Sequence, residues 1–266
     1  EINREFSRLN EHILSANINY QHDFTFGDFT PTLKMGGYTE YRTRKYNTRL
    51  FIYSWKNGLP SNYRVMNVPD ELMQDKNYGE DKLYLLEQVD WRNNYEGNNM
   101  LGAGYAGVNL PFGKWNIYAG VRFEHSRMEL ISNTQKNEKS PTSVYYTYDD
   151  FFPSLNAAYR LNEQHQFRLS YGRTVNRPEF REVSSSVYYD FDLASNVQGN
   201  YDLKAAYIDN IDLGYEYYPS NGELISVSLF YKKFKNPIEW TYTVAGGTDL
   251  IYSYINAKGA DNYGVE

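Results

Sequence analysis

Segments in which apolar and polar residues alternate recur along the chain, so that every second side chain shares a face. Phe167, Leu169 and Tyr171 interleave with Arg168, Ser170 and Gly172, and Leu155, Ala157 and Tyr159 with Asn156, Ala158 and Arg160. Trp115, Ile117, Ala119, Val121 and Phe123 alternate with Asn116, Tyr118, Gly120, Arg122 and Glu124. The pattern returns in Ile211, Leu213, Tyr215 and Tyr217 against Asp212, Gly214 and Glu216. It returns again in Ile225, Val227, Leu229 and Tyr231 against Ser226, Ser228 and Lys232, with Phe230 the one apolar exception. Near the start Leu14, Ala16, Ile18 and Tyr20 oppose Ser15, Asn17, Asn19 and Gln21; Leu33, Met35 and Tyr41 then oppose Lys34, Glu40 and Arg42 more raggedly. A period of two is that of a β-strand with unlike faces. With a Gly-rich segment near 95–108 and a last strand beginning near Ile251, the sequence predicts about nine strands.

The connections sort into two kinds that alternate. Short turns are expected at Phe24–Asp28, Pro111–Lys114, Asn162–Gln164 and Pro219–Gly222, and long connections near 54–90, 132–146, 176–205 and 242–249. Short turns at one rim and long loops at the other are how outer-membrane barrels are built, so the strand from His12 should descend toward the periplasm. A soluble sandwich or propeller also alternates, but it has no reason to sort its loops by end, and several strands here run well beyond the about five or six residues usual in soluble sheets.

Composition supports the membrane reading. Only 41% of residues are hydrophobic, yet 28 Tyr and 14 Phe bring the aromatic share to 17%. Tyr suits a site with one apolar and one wet side. Mean hydropathy is -0.71, and no apolar run approaches the roughly 18 residues of a spanning helix. A barrel escapes that test because only alternate residues meet lipid. Cys is absent, which excludes disulfides and thiolate chemistry. A net charge of -6 without a basic block argues against nucleic acid as a partner. The sequence opens at Glu1 without Met or a signal peptide, so any export signal is expected upstream.

One stretch is more specific. Phe152-Pro153-Ser154-Leu155-Asn156-Ala157-Ala158-Tyr159-Arg160-Leu161, a turn, and Gln166-Phe167-Arg168-Leu169-Ser170-Tyr171-Gly172-Arg173 resemble the central barrel hairpin of TonB-dependent receptors. The Asn176-Arg177-Pro178-Glu179-Phe180 run, the Gly199-Asn200 pair, Gly113-Lys114-Trp115 and Asn256-Ala257 are similar to that family too. Tyr201 and Ala205-Ala206 stand where the family commonly has prolines. The chain is most similar to the barrel family common in Bacteroidetes-type bacteria. The resemblance implies an all-β fold, an antiparallel transmembrane β-barrel fragment supplying about nine strands of a barrel of roughly 22. Residues 1–266 are then a partial outer-membrane β-barrel domain, without the plug domain and the terminal barrel strands. It further implies energised uptake of a small nutrient (metal chelate, oligosaccharide or peptide), outer-membrane lipid as surroundings, and contact with the TonB complex through a plug and box not in this sequence. A surface lipoprotein partner is compatible with it. The alternative is a passive porin or structural barrel without a plug, and a third reading is an enzyme on a barrel rim.

Candidate functional residues fall into two sets. Arg122, Glu124, Arg160, Arg168, Arg173, Asp212, Glu216 and Lys232 are expected on the polar face, either lining the channel and holding the plug or simply forming a solvated lumen surface. Tyr145, Tyr146, Tyr148, Tyr188, Tyr189 and Phe191 are expected in outer loops, as stacking residues for a ligand or as the aromatic girdle at the membrane interface. Asp149 and Asp150 read as a loop-to-strand junction, since neighbouring strand residues point to opposite faces. His12, His22, His125 and His165 have no metal-ligand spacing, no nucleophile motif is present, and neither a cofactor nor catalysis is expected.

Overall fold

The computed structural model describes residues 2–56, 72–247 and 249–266. Among these described residues fourteen strands form: β1 (Ile2–Asp23), β2 (Thr32–Trp55), β3 (Leu83–Gln88), β4 (Tyr95–Phe112), β5 (Trp115–Asn133), β6 (Pro141–Arg160), β7 (His165–Asn176), β8 (Val187–Asp190), β9 (Ser195–Gln198), β10 (Ala206–Tyr217), β11 (Ile225–Lys235), β12 (Ile238–Gly246), β13 (Asp249–Asn256) and β14 (Gly259–Val265). One helical turn, α1 (Phe180–Val183), follows β7. The main sheet is an antiparallel meander in the order β1-β2-β4-β5-β6-β7-β10-β11-β14, with β3 laid on the upper part of β2. These nine strands are the wall, β1 and β14 are its edges, and the two edges are not paired with each other.

Register fixes the two faces. Val121 lies opposite Pro153, Leu155 opposite Tyr171, Leu169 opposite Leu213, and Leu213 opposite Leu229, so the apolar residues of adjoining strands form one continuous outer surface. Arg122, Asn156, Ser170, Asp212 and Ser228 take the other face, as the alternation requires. Phe230 is the exception in the structure as well, on the inner face opposite Asp212 and Gly264.

The short turns are where the sequence places them. β4 and β5 are joined by Gly113 and Lys114, with Gly113 at φ 58°, and Phe26 and Phe29 bridge the β1–β2 turn. Two long connections differ from expectation. Strands β5 and β6 continue to Asn133 and from Pro141, so that loop shrinks to 134–140. Residues 242–247 belong to the hairpin β12–β13, which leaves the wall and joins a second sheet over its inner face. The ninth wall strand is therefore β14, not one starting near Ile251; periodicity alone does not tell a loop hairpin from a wall strand. The 54–90 connection contains β3, and its residues 57–71 lie outside the described residues.

The 176–205 connection is the most structured. It forms α1, β8 and β9, and β9 pairs parallel with β13, giving a four-stranded cap sheet β12-β13-β9-β8. The principal apolar core lies between this cap and the inner face of the tall strands: Tyr46, Tyr95, Met128, Leu130 and Tyr146 from the wall, and Phe180, Val183, Val197, Leu203 and Tyr254 from the cap.

Candidate functional site

The site is the seam where the chain leaving β7 turns inward across the wall. Pro178 has no N–H to continue a ladder, so the chain departs from the sheet there. The two residues flanking it carry opposite charges. Arg177 Nη1 donates to Glu124 Oε2 and Nη2 to Asp150 Oδ2, both at 2.8 Å. Glu124 and Asp150 are directly opposite on β5 and β6, where two like charges repel, and the guanidinium bridges them. Tyr207 Oη donates to the other Asp150 oxygen at 2.6 Å, and Arg122 Nε to the other Glu124 oxygen at 2.7 Å. On the other flank Glu179 lies 3.5 Å from Arg42 Nη1; Arg42 Nε is 3.7 Å from Glu40, which accepts from Tyr38 Oη at 2.6 Å. The Arg177 side chain is only 18% exposed and that of Asp150 9%, a depth at which charges persist only when paired.

Phe180 fills a notch beside Arg177. A Cβ at Gly97 would lie 2.4 Å from Phe180 Cδ1, so only glycine admits the ring, and the Arg44 guanidinium stands 5.4 Å from its centroid. The Glu182 carboxylate accepts the Glu179 N–H at 2.9 Å, closing the first turn of α1. Gly199 crosses the end of α1 so closely that a Cβ would sit 2.3 Å from the Ser184 carbonyl oxygen, and the next residue, Asn200, donates its N–H to the Glu182 carbonyl at 2.6 Å. Two asparagines fasten the cap. Asn200 Nδ2 donates to the Tyr254 carbonyl at 2.8 Å, while Asn256 accepts the Lys204 N–H and donates to the Lys204 and Asn236 carbonyls. Burial pushes the Glu182 carboxyl above the ordinary carboxylate range, and the neighbouring Glu179 charge adds to it. Burial likewise raises the Tyr254 phenol, with its hydrogen bond to Tyr188 acting the same way.

A cavity of about 230 Å³ lies under the seam, lined by Arg42, Asn99, Ser126, Tyr148, Arg177 and Glu179 among others. The buried Nε atoms of Arg42 and Arg177 have no hydrogen-bond acceptor among the described residues. The pocket thus offers donors and acceptors side by side, and fits polar recognition better than acid-base or nucleophilic chemistry. A wider groove of about 1180 Å³ runs down the inner face past Arg160, Arg168, Ser170, Asp212 and Glu216. Among the described residues no group of three or more His, Asp or Glu is placed to hold a metal ion.

The structure groups the expected lumen residues unevenly. Arg122 and Glu124 belong to the seam, Arg168 pairs with Glu216 at 3.0 Å, and Arg160, Asp212 and Lys232 share their face. Arg173 departs from the set. It lies opposite Asp209 on the outer face with Leu169 and Tyr171, 3.9 Å from the Asp209 carboxylate, because an odd position cannot share a face with Arg168. The aromatic set divides too. Tyr145, Tyr146 and Tyr148 are in strand β6, not in a loop. Tyr146 is 8% exposed inside the core and donates to the Tyr201 carbonyl, Tyr148 packs beside Arg177, and Tyr145 points outward to Glu129. Tyr188 is stacked under Arg181 at 3.9 Å, leaving Tyr189 and Phe191 as the exposed pair. Asp149 and Asp150 lie within β6 rather than at a junction, on opposite faces: Asp149 meets His125 outside, Asp150 meets Arg177 inside. Sequence reasoning missed Arg42, Asp150, Arg177, Glu179 and Phe180 as one site. The signal was the Arg-Pro-Glu-Phe run, whose charges need partners that only the register supplies.

A large antiparallel wall with an apolar outer face and a long connection folded over its inner face is the architecture of one sector of a membrane-type β-barrel. The chain belongs to the TonB-dependent receptor-like β-barrel family, whose model matches residues 3–266. Among solved structures it is similar to the ferric-catecholate import receptor Fiu from K12 E. coli, with TM-score 0.59 and 15% identity over 97% of this chain and 35% of that one. The ferric citrate transporter FecA in its unliganded form gives TM-score 0.59 and 14% identity, over 88% of this chain and 29% of that one. The alcaligin outer-membrane receptor FauA from Bordetella pertussis gives 0.55 and 11%, over 98% and 36%. These likenesses concern the fold, and the chain spans about a third of the length of those receptors. No curated protein matches the chain.

Proposed function

We propose that residues 1–266 supply part of the barrel wall, and part of the outer cap, of an outer-membrane receptor that imports a scarce nutrient with energy delivered through TonB. Membership of the receptor family is the first support. The observation that carries the reading furthest is the 177–205 segment, pinned across the inner wall by Arg177 and Phe180, where a freely permeable pore would keep its mouth clear. Arg122, Glu124, Arg160, Arg168, Asp212, Glu216 and Lys232 line the lumen in this reading, and a plug carried elsewhere in the protein rests against them. Tyr189 and Phe191 are the exposed aromatic candidates for ligand contact at the mouth. The nutrient is a metal chelate, an oligosaccharide or a peptide; the three neighbours named above are described as acting on ferric catecholates, ferric citrate and alcaligin.

Uptake by cells expressing the full-length protein tests this. Accumulation of a labelled ferric chelate, oligosaccharide or peptide should collapse when a protonophore abolishes the proton-motive force. Uptake that persists at the same rate would establish the passive pore instead.

A further inference from the structure

On five consecutive wall strands the apolar outer face gives way to charge toward the top. Going up each strand, its apolar residues give way to a charged or ionisable one: Phe123 to His125 on β5, Phe151 to Asp149 on β6, Tyr171 to Arg173 on β7, Ile211 to Asp209 on β10, and Tyr231 to Lys233 on β11. Across the last strands the register aligns these into one row, Arg173 opposite Asp209, Asp209 opposite Lys233, Lys233 opposite Asp261. Directly beneath runs the row Tyr171, Ile211, Tyr231 and Tyr263. On β6 the apolar outer positions from Tyr159 to Phe151 extend about 26 Å along the strand, which at the tilt of about 35–45° usual in such barrels covers roughly 20 Å of an apolar band of about 25 Å.

Within that row the acids are engaged, while Lys233, and Lys235 two residues above it, are not. Asp209 accepts from Tyr171 Oη at 2.9 Å and Asp261 from Tyr231 Oη at 2.6 Å. Arg173 stands 3.9 Å from Asp209, its guanidinium over the Tyr207 ring, with a buried Nε that has no acceptor among the described residues. Lys233 and Lys235 share the outer face of β11, about 6.6 Å apart by strand geometry, exposed and outside every ion pair among the described residues. The β11 stripe therefore reads Ile225, Val227, Leu229, Tyr231, Lys233, Lys235: three aliphatic residues, an interface aromatic, then two free ammonium groups. Lysine at that depth lays its stem on apolar surface and presents its charge at headgroup level, where the complementary group is a phosphate.

We propose that Lys233 and Lys235 form a binding site for the phosphorylated headgroup of an anionic lipid in the outer leaflet. The proposal rests on reading the apolar face as the membrane face. Native mass spectrometry of the detergent-solubilised full-length protein tests it, with phosphatidic acid and phosphatidylcholine of identical chains as probes. Wild type should hold phosphatidic acid at least fivefold more than phosphatidylcholine, and K233Q/K235Q should lose that preference. K45Q, which removes an outward lysine already paired with Glu96, should keep it. Inorganic phosphate in equal amount should not displace the lipid; displacement would make this a free-phosphate site and overturn the lipid assignment. Equal retention of both lipids by wild type, or an unchanged preference in K233Q/K235Q, would also overturn it. A full-length protein that fails to enter bilayers at all would instead overturn the barrel reading beneath it.

Discussion

Arg177 decides whether the cap can rest on the wall. Its guanidinium is the only cation touching both Glu124 and Asp150 among the described contacts, and removing it leaves two carboxylates face to face in a half-dry seam. Arg177→Ala should weaken cap docking by about 3–5 kcal/mol, the scale for breaking a buried pair. Faster protease cleavage within 180–205 of the full-length protein, with the wall strands still protected, is the expected readout. Gly97 makes a complementary test on the apolar side. Gly97→Ala pushes a methyl into the Phe180 ring and should cost about 1–3 kcal/mol. In a double-mutant cycle Phe180→Ala should absorb most of that loss, whereas additive effects would place the strain elsewhere.

At the scale of elements, the docked α1 titrates. Its Glu182 carboxyl holds a proton to higher pH than a solvated carboxyl does, so the docked cap binds more protons than the undocked one. Docking is therefore fully favoured below the ordinary carboxylate range and weakens as pH rises through the raised one. Hydrogen exchange at the β9 amides should show protection falling over that interval, and Glu182→Gln, which keeps the acceptor for the Glu179 N–H, should flatten the dependence. The wall strands were legible in the sequence because the alternation of Phe167, Leu169 and Tyr171 is set by the strand period itself, and the shared inner face of Arg168, Asp212 and Glu216 followed from the same parity. Arg173 followed it too, as a member of the odd face, and was misread by its charge. The cap was not legible. Tyr146 and Tyr148 look like loop aromatics until the length of β6 is known, and the β9–β13 pairing joins Asn196 to Ile251 across residues whose sequence carries no mark of the contact.

For the whole molecule, the unpaired edges of β1 and β14 set a condition on assembly. An open edge in lipid leaves backbone N–H and C=O groups without partners, at several kcal/mol each. Residues 1–266 produced alone should fail to insert into vesicles and should aggregate, while the full-length protein should give the heat-sensitive gel mobility of a closed barrel. Insertion of the isolated piece as a stable monomer would show that this sheet closes on itself.

The wall is not of even height. β1 and β2 run 22 and 24 residues, whereas β10 and β11 run 12 and 11, a difference of about 35 Å at strand rise. The rim therefore slopes, and the cap is rooted on its low side and leans against the high one. Along this stretch of wall the cap is thus braced from one side, by β2–β6, like a lean-to and not like a lid seated on an even rim.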